Sequence, residues 1–262
     1  MIDNRKTYET SYAVHQFAKL NDLQAPEKTI FEIVQPALSR ARMLDLGVGA
    51  GRTTVHFAPR AKEYVGADYS QAMIDACRER FAGDPYRFEV ADARQLPFED
   101  RSFDIVLFSY NGIDYVPHED RQRVLREVHR VLRDGGTFAF STHNLDNAPA
   151  LLSMRPSIHP RAMLRQWKLR LANPPLREIA SRDWIVLHDG ALDAGGGLET
   201  YYVRREEQLR QLAAAGFIDV QVFQLDGATA REGATDPWLY YLCKSGLTSS
   251  PRVAVPAASP PR

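Results

Sequence analysis

The chain of 262 residues is 44% hydrophobic and 25% charged, and its formal net charge is zero. This composition is typical of an ordinary soluble globular protein. A neutral chain argues against a protein that binds nucleic acid or an anionic membrane through charge alone.

The N-terminal residues and the cysteines bear on where the protein works. Residues 1–17 mix both charge signs and contain no apolar core of signal-peptide length. No stretch approaches the ~20 apolar residues that span a bilayer. The two cysteines, Cys77 and Cys243, form no CxxC pair, which argues against a zinc site and against a disulfide framework. We therefore expect a cytoplasmic protein without a bound metal.

Short apolar segments alternate with helical patterns over the first half of the chain. Strands are predicted at ARMLDLG, EYVGADYS, YRFEV, FDIVLFSY and TFAFSTHN. Helices are predicted after the first, second and fourth strands, and the second helix has Ser70 as its N-cap and Gly83 at its end. This alternation predicts an α/β fold with a doubly wound, mostly parallel sheet.

The most periodic helix is HEDRQRVLREVHRVLRDGG, whose final DGG is predicted to end it. Its apolar residues recur at helical spacing, and that face is predicted to be buried. The residues on this face are Val124, Leu125, Val128, Val131 and Leu132.

The alternation stops after the fifth strand. HPRAMLRQWKLRLANPP is predicted to form a short basic amphipathic helix, and DWIVLHDG and LETYYV a hairpin across the flexible ALDAGGG. A helix, REEQLRQLAAAGF, and two strands, IDVQVFQLDG and PWLYYLCKS, complete the pattern. The last residues are rich in Pro, Ser and Ala and are predicted to be disordered.

Three glycines, Gly47, Gly49 and Gly51, follow the first strand at alternate positions. A glycine-rich turn at the carboxyl end of a parallel strand lets a ligand approach the backbone and the next helix. The dinucleotide pattern G-x-G-x-x-G requires a glycine at the position of Arg52, so that pattern is broken.

The segment DLGVGAG, residues 45–51, resembles the acidic-x-Gly-x-Gly-x-Gly motif of class I S-adenosylmethionine-dependent methyltransferases. YVGADYSQAMI, FEVADARQLPFEDRSFD and VLREVHRVLRDGGTFAFS follow in the order of that family. The resemblance covers residues 41–142 and implies S-adenosylmethionine as the cofactor. It also implies a Rossmann-like sheet of seven strands, mostly parallel, with an antiparallel last strand and an inserted lid.

The resemblance divides the chain into five expected parts. These are a helical cap (1–40), the cofactor-binding core (41–145), a substrate lid (146–200), the end of the core sheet (201–246) and a disordered tail (247–262).

Asp68 closes the second strand, where a carboxylate can accept both hydroxyl protons of a ribose. Capping of the next helix is the alternative for Asp68, and Ser70 already fits that task. In the family, the loop after the third strand lies near the adenine. The cofactor residues that the resemblance implies are Asp45, Gly47, Gly49, Gly51, Asp68, Tyr69, Met73, Asp92, Ala93, Phe108 and Ser109.

His143 follows the fifth strand and can act as a general base near neutral pH. A structural histidine at a strand end is the open alternative. Strand ends, the lid and the N-terminal segment supply the expected substrate contacts. These are Tyr8, Tyr12, Tyr110, Asn111, Asn144, Trp184, His188 and Tyr202.

The predicted function is methyl transfer to an oxygen or nitrogen atom of a small molecule, in bacterial specialised metabolism. Two alternatives stay open: a methyltransferase of RNA, such as a tRNA wobble nucleotide, and a cofactor-binding protein without transfer activity. The Asn-Pro-Pro-Tyr motif of base and glutamine methylation is absent. We expect a monomer or homodimer with a small-molecule substrate and with neither nucleic acid nor a membrane as partner.

Overall fold

The computed structural model of the chain describes residues 10, 14–15, 18–153, 159–188 and 199–247. The predictions at Tyr8 and Tyr12, and the predicted disorder of residues 248–262, lie outside these residues.

A single sheet organises the described residues: the third, second, first, fourth and fifth strands of the chain lie side by side in that order, followed by the ninth and the eighth, which are antiparallel. The first five strands are parallel to one another. The prediction of a mostly parallel sheet with an antiparallel last strand is therefore confirmed. The strands are β1 Arg42–Leu46, β2 Glu63–Asp68, β3 Arg87–Val90, β4 Phe103–Phe108, β5 Leu132–Asn144, β6 Trp184–His188, β7 Glu199–Val203, β8 Phe217–Phe223 and β9 Trp238–Ser245.

The seven predicted core strands are present, and the described part of the sheet has nine strands because the two strands of the lid hairpin join it. The predicted hairpin of the lid, β6 and β7, joins the sheet at the end of β5. There His143 and Asn144 pair in parallel with Tyr202 and Val203, beyond Phe140, the last residue of β5 that pairs with β4. The lid is thus fastened to the core by backbone hydrogen bonds.

Helices cover both faces of the sheet, and two of them differ from prediction. The helix after the glycines has one turn and continues as the 3₁₀ turn Ala58–Arg60. The periodic helix ends at Val131, before the DGG, because Leu132 already pairs with β4. The helices are α1 Ala25–Leu38, α2 Thr54–Phe57, α3 Gln71–Arg80, α4 His118–Val131, α5 Ala148–Leu151, α6 Pro160–Ala172, α7 Leu176–Ala180 and α8 Arg205–Ala214.

Local sequence explains where these helices begin and which face they bury. Ser70 caps α3, since its hydroxyl accepts a hydrogen bond from the Met73 N–H at 3.4 Å. The predicted apolar face of α4 is buried against β4 and β5. Two layers of core result, one under α4 and α8 and one under α1 and α3. This double cover explains why β4 is apolar along nearly its whole length.

Candidate active site

The carboxyl ends of β1, β2, β4 and β5 lie at one edge of the sheet, because these strands are parallel neighbours. The glycine turn, Asp68, the segment after Phe108 and His143 therefore meet at this edge. In open α/β sheets, ligands bind in the crevice outside this edge.

The glycines of the turn after β1 have different surroundings. All three have positive φ angles, of 66° at Gly47, 55° at Gly49 and 82° at Gly51. A Cβ on Gly47 would lie 2.7 Å from Cε2 of Phe108, and a Cβ on Gly51 would overlap the ring of Phe81. A Cβ on Gly49 would meet no described atom within 4 Å. Gly47 and Gly51 serve packing, whereas Gly49 faces open space that a ligand can occupy.

Asp68 connects the end of β2 to the glycine turn. One carboxylate oxygen accepts a hydrogen bond from Gly49 N at 3.0 Å and the other from Ser70 N at 2.9 Å. Burial raises the pKa of Asp68, and the backbone N–H groups act against this rise. A carboxylate has about four lone-pair positions, so the three backbone bonds from Gly49, Ser70 and Tyr69 leave about one acceptor position for a sugar hydroxyl. The structure thus combines a local backbone bond with room for the predicted ribose contact.

Asp45 lies beneath the turn. Its Oδ2 accepts hydrogen bonds from Thr53 Oγ1 at 2.5 Å and from Tyr64 OH at 2.6 Å. Burial raises the pKa of Asp45 to about 6. These bonds tie β1 and β2 to the residues that follow the turn, as expected of a residue that organises it.

The expected adenine end is less enclosed. Asp92 is half exposed and forms an ion pair with Arg94 at 2.7 Å, which holds the pKa of Asp92 below its usual range. Ala93, the next residue on the loop after β3, and Tyr69, on the loop after β2, are partly buried. Met73 is buried against Ala50 of the glycine turn. The structure places these residues along one edge without a contact that tests their predicted role.

The segment after β4 has an unusual backbone. Tyr110 and Asn111 have φ angles of 55° and 61° although neither is a glycine. Consecutive residues in this region are uncommon, and such strain is concentrated at functional sites. The Asn111 N–H donates to Ser141 Oγ at 2.8 Å, which fixes this turn against β5. The Oδ1 atom of Asn111 is buried and has no hydrogen-bond partner among the described residues.

His143 is paired with Asp114, a residue that the sequence did not single out. Oδ2 of Asp114 accepts hydrogen bonds from the His143 backbone N at 2.7 Å and from ring Nδ1 at 2.8 Å. The opposite ring atom, Nε2, lies 3.5 Å from Nδ2 of Asn111. Because Nδ1 carries the proton in this arrangement, the lone pair of Nε2 faces the segment after β4.

Arg121 of α4 holds Asp114 from the other side. Its Nη1 lies 2.9 Å from Oδ1 of Asp114, and its Nη2 donates to Thr142 Oγ1 at 2.9 Å and to Gln208 Oε1 at 2.8 Å. The Thr142 hydroxyl in turn donates to Oδ1 of Asp114 at 2.5 Å. Arg121 is 0% exposed, so a buried ion pair supports the histidine. Such a pair fixes geometry because each charge requires its partner.

A second buried ion pair joins the glycine turn to α1. Arg52 donates to both carboxylate oxygens of Glu27 at 2.6 Å, and its Nη2 also lies 3.2 Å from Ser109 Oγ. Its guanidinium stands 4.9 Å from the ring centroid of Tyr110. Tyr240 of β9 donates to Glu27 at 3.1 Å. Arg52 therefore connects α1, the turn and the segment after β4.

Of the residues predicted to contact substrate, Tyr110, Asn111 and Tyr202 lie close to the histidine or the glycine turn. The Tyr202 ring centroid is 4.9 Å from that of His143. Phe108, predicted to line the cofactor, has its ring against Gly47 and Gly112 and so supports the turn from below.

Three predicted substrate contacts are used elsewhere. Asn144 donates to Ala234 O and accepts from Asp146 N, so its amide stabilises the turn after β5. Trp184 stacks on His118 of α4 at 3.6 Å between centroids and thereby docks the hairpin. The described bonds of His188 are backbone bonds to Asn173, near the far end of the hairpin. We do not include these three in the site.

Sequence reasoning missed Asp114, Arg121 and the role of Arg52. Arg121 carried a usable signal, because it precedes Val124 by three residues and Leu125 by four, on the predicted buried face of α4. A charge on such a face requires a buried partner. Asp114 lies in a 3₁₀ turn, where no pattern distinguishes it.

In the described part of the chain, no group of three or more His, Cys, Asp or Glu side chains could hold a metal ion. No helix there is both long and apolar enough to cross a membrane.

Comparisons with known proteins identify the domain that carries this site. Residues 43–136 match the family model of a methyltransferase domain. An uncharacterised methyltransferase of Bacillus subtilis, YcgJ, is 33% identical over 147 residues, which are 52% of this chain and 56% of that protein. The ubiquinone/menaquinone biosynthesis C-methyltransferase UbiE of Desulfotalea psychrophila is 36% identical over 99 residues, 36% of this chain and 38% of UbiE. The chain therefore spans about half or less of the length of these curated relatives.

The crystal structure of an S-adenosylmethionine-dependent methyltransferase of Mesorhizobium loti has the same fold. The TM-score is 0.61 at 21% identity, with 84% of this chain and 98% of that chain covered. The matched domain, the order of the motifs and the fold agree. Residues 43–136 are thus a methyltransferase domain, and the chain has the fold of a class I S-adenosylmethionine-dependent methyltransferase.

Proposed function

We propose that this protein transfers the methyl group of S-adenosylmethionine to an oxygen or nitrogen atom of a small molecule and that His143 removes the acceptor's proton. The observation that carries the proposal is the Asp114–His143 pair at the carboxyl end of β5. Its Nε2 atom lies beside Asn111, at the strained end of β4. The similarity to UbiE, a C-methyltransferase of ubiquinone/menaquinone biosynthesis, supports a small-molecule acceptor.

The residues at the edge of the sheet fit the cofactor. Open space above Gly49 allows a ligand to approach the backbone, and Asp68 next to it keeps an acceptor position for a ribose hydroxyl. The cofactor supplies a sulfonium whose methyl group is transferred by displacement. Adjacent strands are about 4.8 Å apart, so β1 and β5, with β4 between them, are separated by about 10 Å. Asn111 thus lies between the turn at Gly49 and His143, where acceptor and methyl group can meet.

Two features prepare His143 for proton removal. Asp114 binds Nδ1–H and so selects the tautomer in which Nε2 is the base. When Nε2 takes a proton, the nearby carboxylate stabilises the imidazolium that forms. Such general-base help accelerates a reaction by ~10²–10⁴-fold.

Aromatic side chains surround the histidine and keep water from it. Tyr202 lies on one side of the ring, and Trp238 approaches edge-on at 6.0 Å between centroids. His143 is only 9% exposed. Exclusion of water strengthens the bond between His143 and Asp114.

The test uses His143→Ala and His143→Asn, with His129→Ala as the control for loss of an imidazole outside the site. Labelled S-adenosylmethionine is incubated with separate metabolite and tRNA pools. We expect label in the metabolite pool, turnover lower by ~10²–10⁴-fold in both His143 variants, and unchanged affinity for S-adenosylhomocysteine. If His143→Asn turns over normally while His143→Ala does not, His143 positions the acceptor and does not remove its proton.

Other outcomes of the same experiment contradict the proposal. Label in tRNA would identify an RNA methyltransferase. Cofactor binding without label in either pool would indicate a cofactor-binding protein. Normal turnover of both His143 variants would make the histidine structural.

A further inference from the structure

Helix α6 presents large apolar side chains to solvent. Leu164, Trp167 and Leu171 are 56%, 53% and 77% exposed. Their spacing of three and seven residues places them on one face of the helix. Single exposed apolar residues are common, but a continuous apolar stripe on a helix marks an interaction surface.

All the charged side chains of α6 are positive. The helix contains no acidic residue and four basic ones, Arg161, Arg165, Lys168 and Arg170. Arg161 and Lys168 are exposed. A local charge of this size stands out in a chain whose net charge is zero.

The opposite face of α6 attaches the helix to the protein. Leu169 packs against the apolar cluster that includes Leu145, Ile179, Leu187 and Tyr202. Tyr202 in turn lies against His143. The helix is therefore held by its inner face, close to the active site, while its apolar stripe points outward.

We propose that α6 binds the surface of an anionic lipid bilayer, with Leu164, Trp167 and Leu171 in the interface and Arg161 and Lys168 at the headgroups. An amphipathic helix with an apolar stripe and basic residues is suited to lie in the plane of such an interface. The helix is ~20 Å long at 1.5 Å per residue, which is enough for a flat contact.

The two chemical features together select lipid over other partners. A second copy bound through the same face would bring like charges together, which destabilises the contact. Nucleic acid would match the basic residues but would leave the apolar stripe in water. An anionic bilayer satisfies both the charges and the stripe.

The consequence for the active site rests on the proposed function. Because α6 and His143 contact the same cluster around Tyr202, a membrane bound to α6 lies close to the active site. The acceptor is then a lipophilic molecule that reaches the site from the lipid phase.

Binding is tested by sedimentation of the full chain with vesicles of phosphatidylcholine alone or mixed with phosphatidylglycerol, at low and high salt. We expect salt-sensitive binding to the mixed vesicles. Each basic residue near an anionic surface contributes about 1 kcal/mol, or about fivefold. Arg161→Gln with Lys168→Gln should therefore weaken binding by about 25-fold.

Apolar variants complete the design. Leu164→Ser with Leu171→Ser should reduce partitioning by at least ~10-fold, since each side chain loses apolar area buried in the interface. Ile218→Ser, at a residue of β8 that is 50% exposed, is the matched control and should bind as the unmodified protein does. Trp167 should report insertion by a blue shift of its fluorescence, which Trp167→Phe removes while binding persists.

The inference is overturned if the protein does not bind anionic vesicles, or if the α6 variants bind these vesicles as well as Ile218→Ser does. A dimer in size-exclusion chromatography that the double Leu variant dissociates would assign the face to a second copy. A tRNA mobility shift that the charge variant removes would assign it to nucleic acid. Vesicle binding without methyl transfer to any small molecule would support the helix as an anchor and would contradict only the proposed function.

Discussion

Substitution by alanine should distinguish Gly49, which faces the proposed ligand, from Gly47, which is packed against Phe108. Gly233, which also has open space beside it, serves as the control. All three have positive φ angles, so alanine costs ~1–2 kcal/mol of unfolding free energy at each. At Gly47 the new Cβ would lie 2.7 Å from the Phe108 ring, and overpacking adds ~1–3 kcal/mol. At Gly49 and Gly233 no described atom lies within 4 Å of the added Cβ, so the only expected cost to the unfolding free energy is that of the backbone conformation.

The expected readouts differ in kind. A loss of 1 kcal/mol lowers the Tm of a chain of this size by ~2–4 °C. Gly49→Ala and Gly233→Ala should therefore lose a similar few degrees, and Gly47→Ala clearly more. Calorimetric titration with S-adenosylhomocysteine should show unchanged affinity for Gly233→Ala. Gly49→Ala should bind at least ~10-fold more weakly, a loss of ~1.4 kcal/mol, because its methyl group occupies the ligand's approach.

One result would refute this reasoning directly. If Gly49→Ala loses the same Tm as Gly233→Ala and binds S-adenosylhomocysteine normally, the space above Gly49 is not where the cofactor binds. The glycine turn would then be a structural feature alone, and tight binding of a nicotinamide dinucleotide would remove the cofactor assignment altogether.

Three further predictions concern the carboxylates. Asp68→Ala should weaken binding of S-adenosylhomocysteine by ~1–3 kcal/mol in calorimetry, since a charged acceptor for the ribose is lost; unchanged affinity would leave Asp68 as a residue that only holds Gly49. Asp114→Asn should lower unfolding free energy by ~3–5 kcal/mol because Arg121 keeps a buried, unpaired charge. Adding Arg121→Met should restore stability without restoring the rate or its pH profile, whereas a recovered rate would show that Asp114 does not position His143. Burial raises the pKa of Asp45 to about 6, so the folded state holds a proton that the unfolded chain has released by about pH 4. Unfolding free energy should therefore fall by up to ~3 kcal/mol as the pH rises from 4 to above 6 in denaturant titrations, and Asp45→Asn should lack this fall.

The sequence was most informative where a pattern repeats or a motif is local. Apolar runs in β1 and β4 and the periodic face of α4 predicted buried elements, and all three are buried as expected. The glycines predicted a turn at a strand end, although only the structure separates Gly49 from Gly47, because the difference lies in a phenylalanine some sixty positions away.

The features that the sequence did not predict depend on contacts between residues far apart along the chain. Asp114, Thr142 and Gln208 meet around Arg121, yet nothing in the local sequence of any of them indicates the other three. The sequence predicted the hairpin but not the pairing of its strand β7 with β5. A hairpin can dock in several ways, and here the stack of Trp184 on His118 accompanies one of them.

The ion pair between Arg52 and Glu27 has an evolutionary consequence. Glycine at position 52 would complete the G-x-G-x-x-G spacing that begins at Gly47, and a single nucleotide change achieves this from any arginine codon. In this fold that step would leave Glu27 buried at 2% exposure without its bidentate partner, which costs ~3–5 kcal/mol. The chain could therefore not drift toward dinucleotide binding at the turn alone. A residue of α1, twenty-five positions upstream, would have to change first.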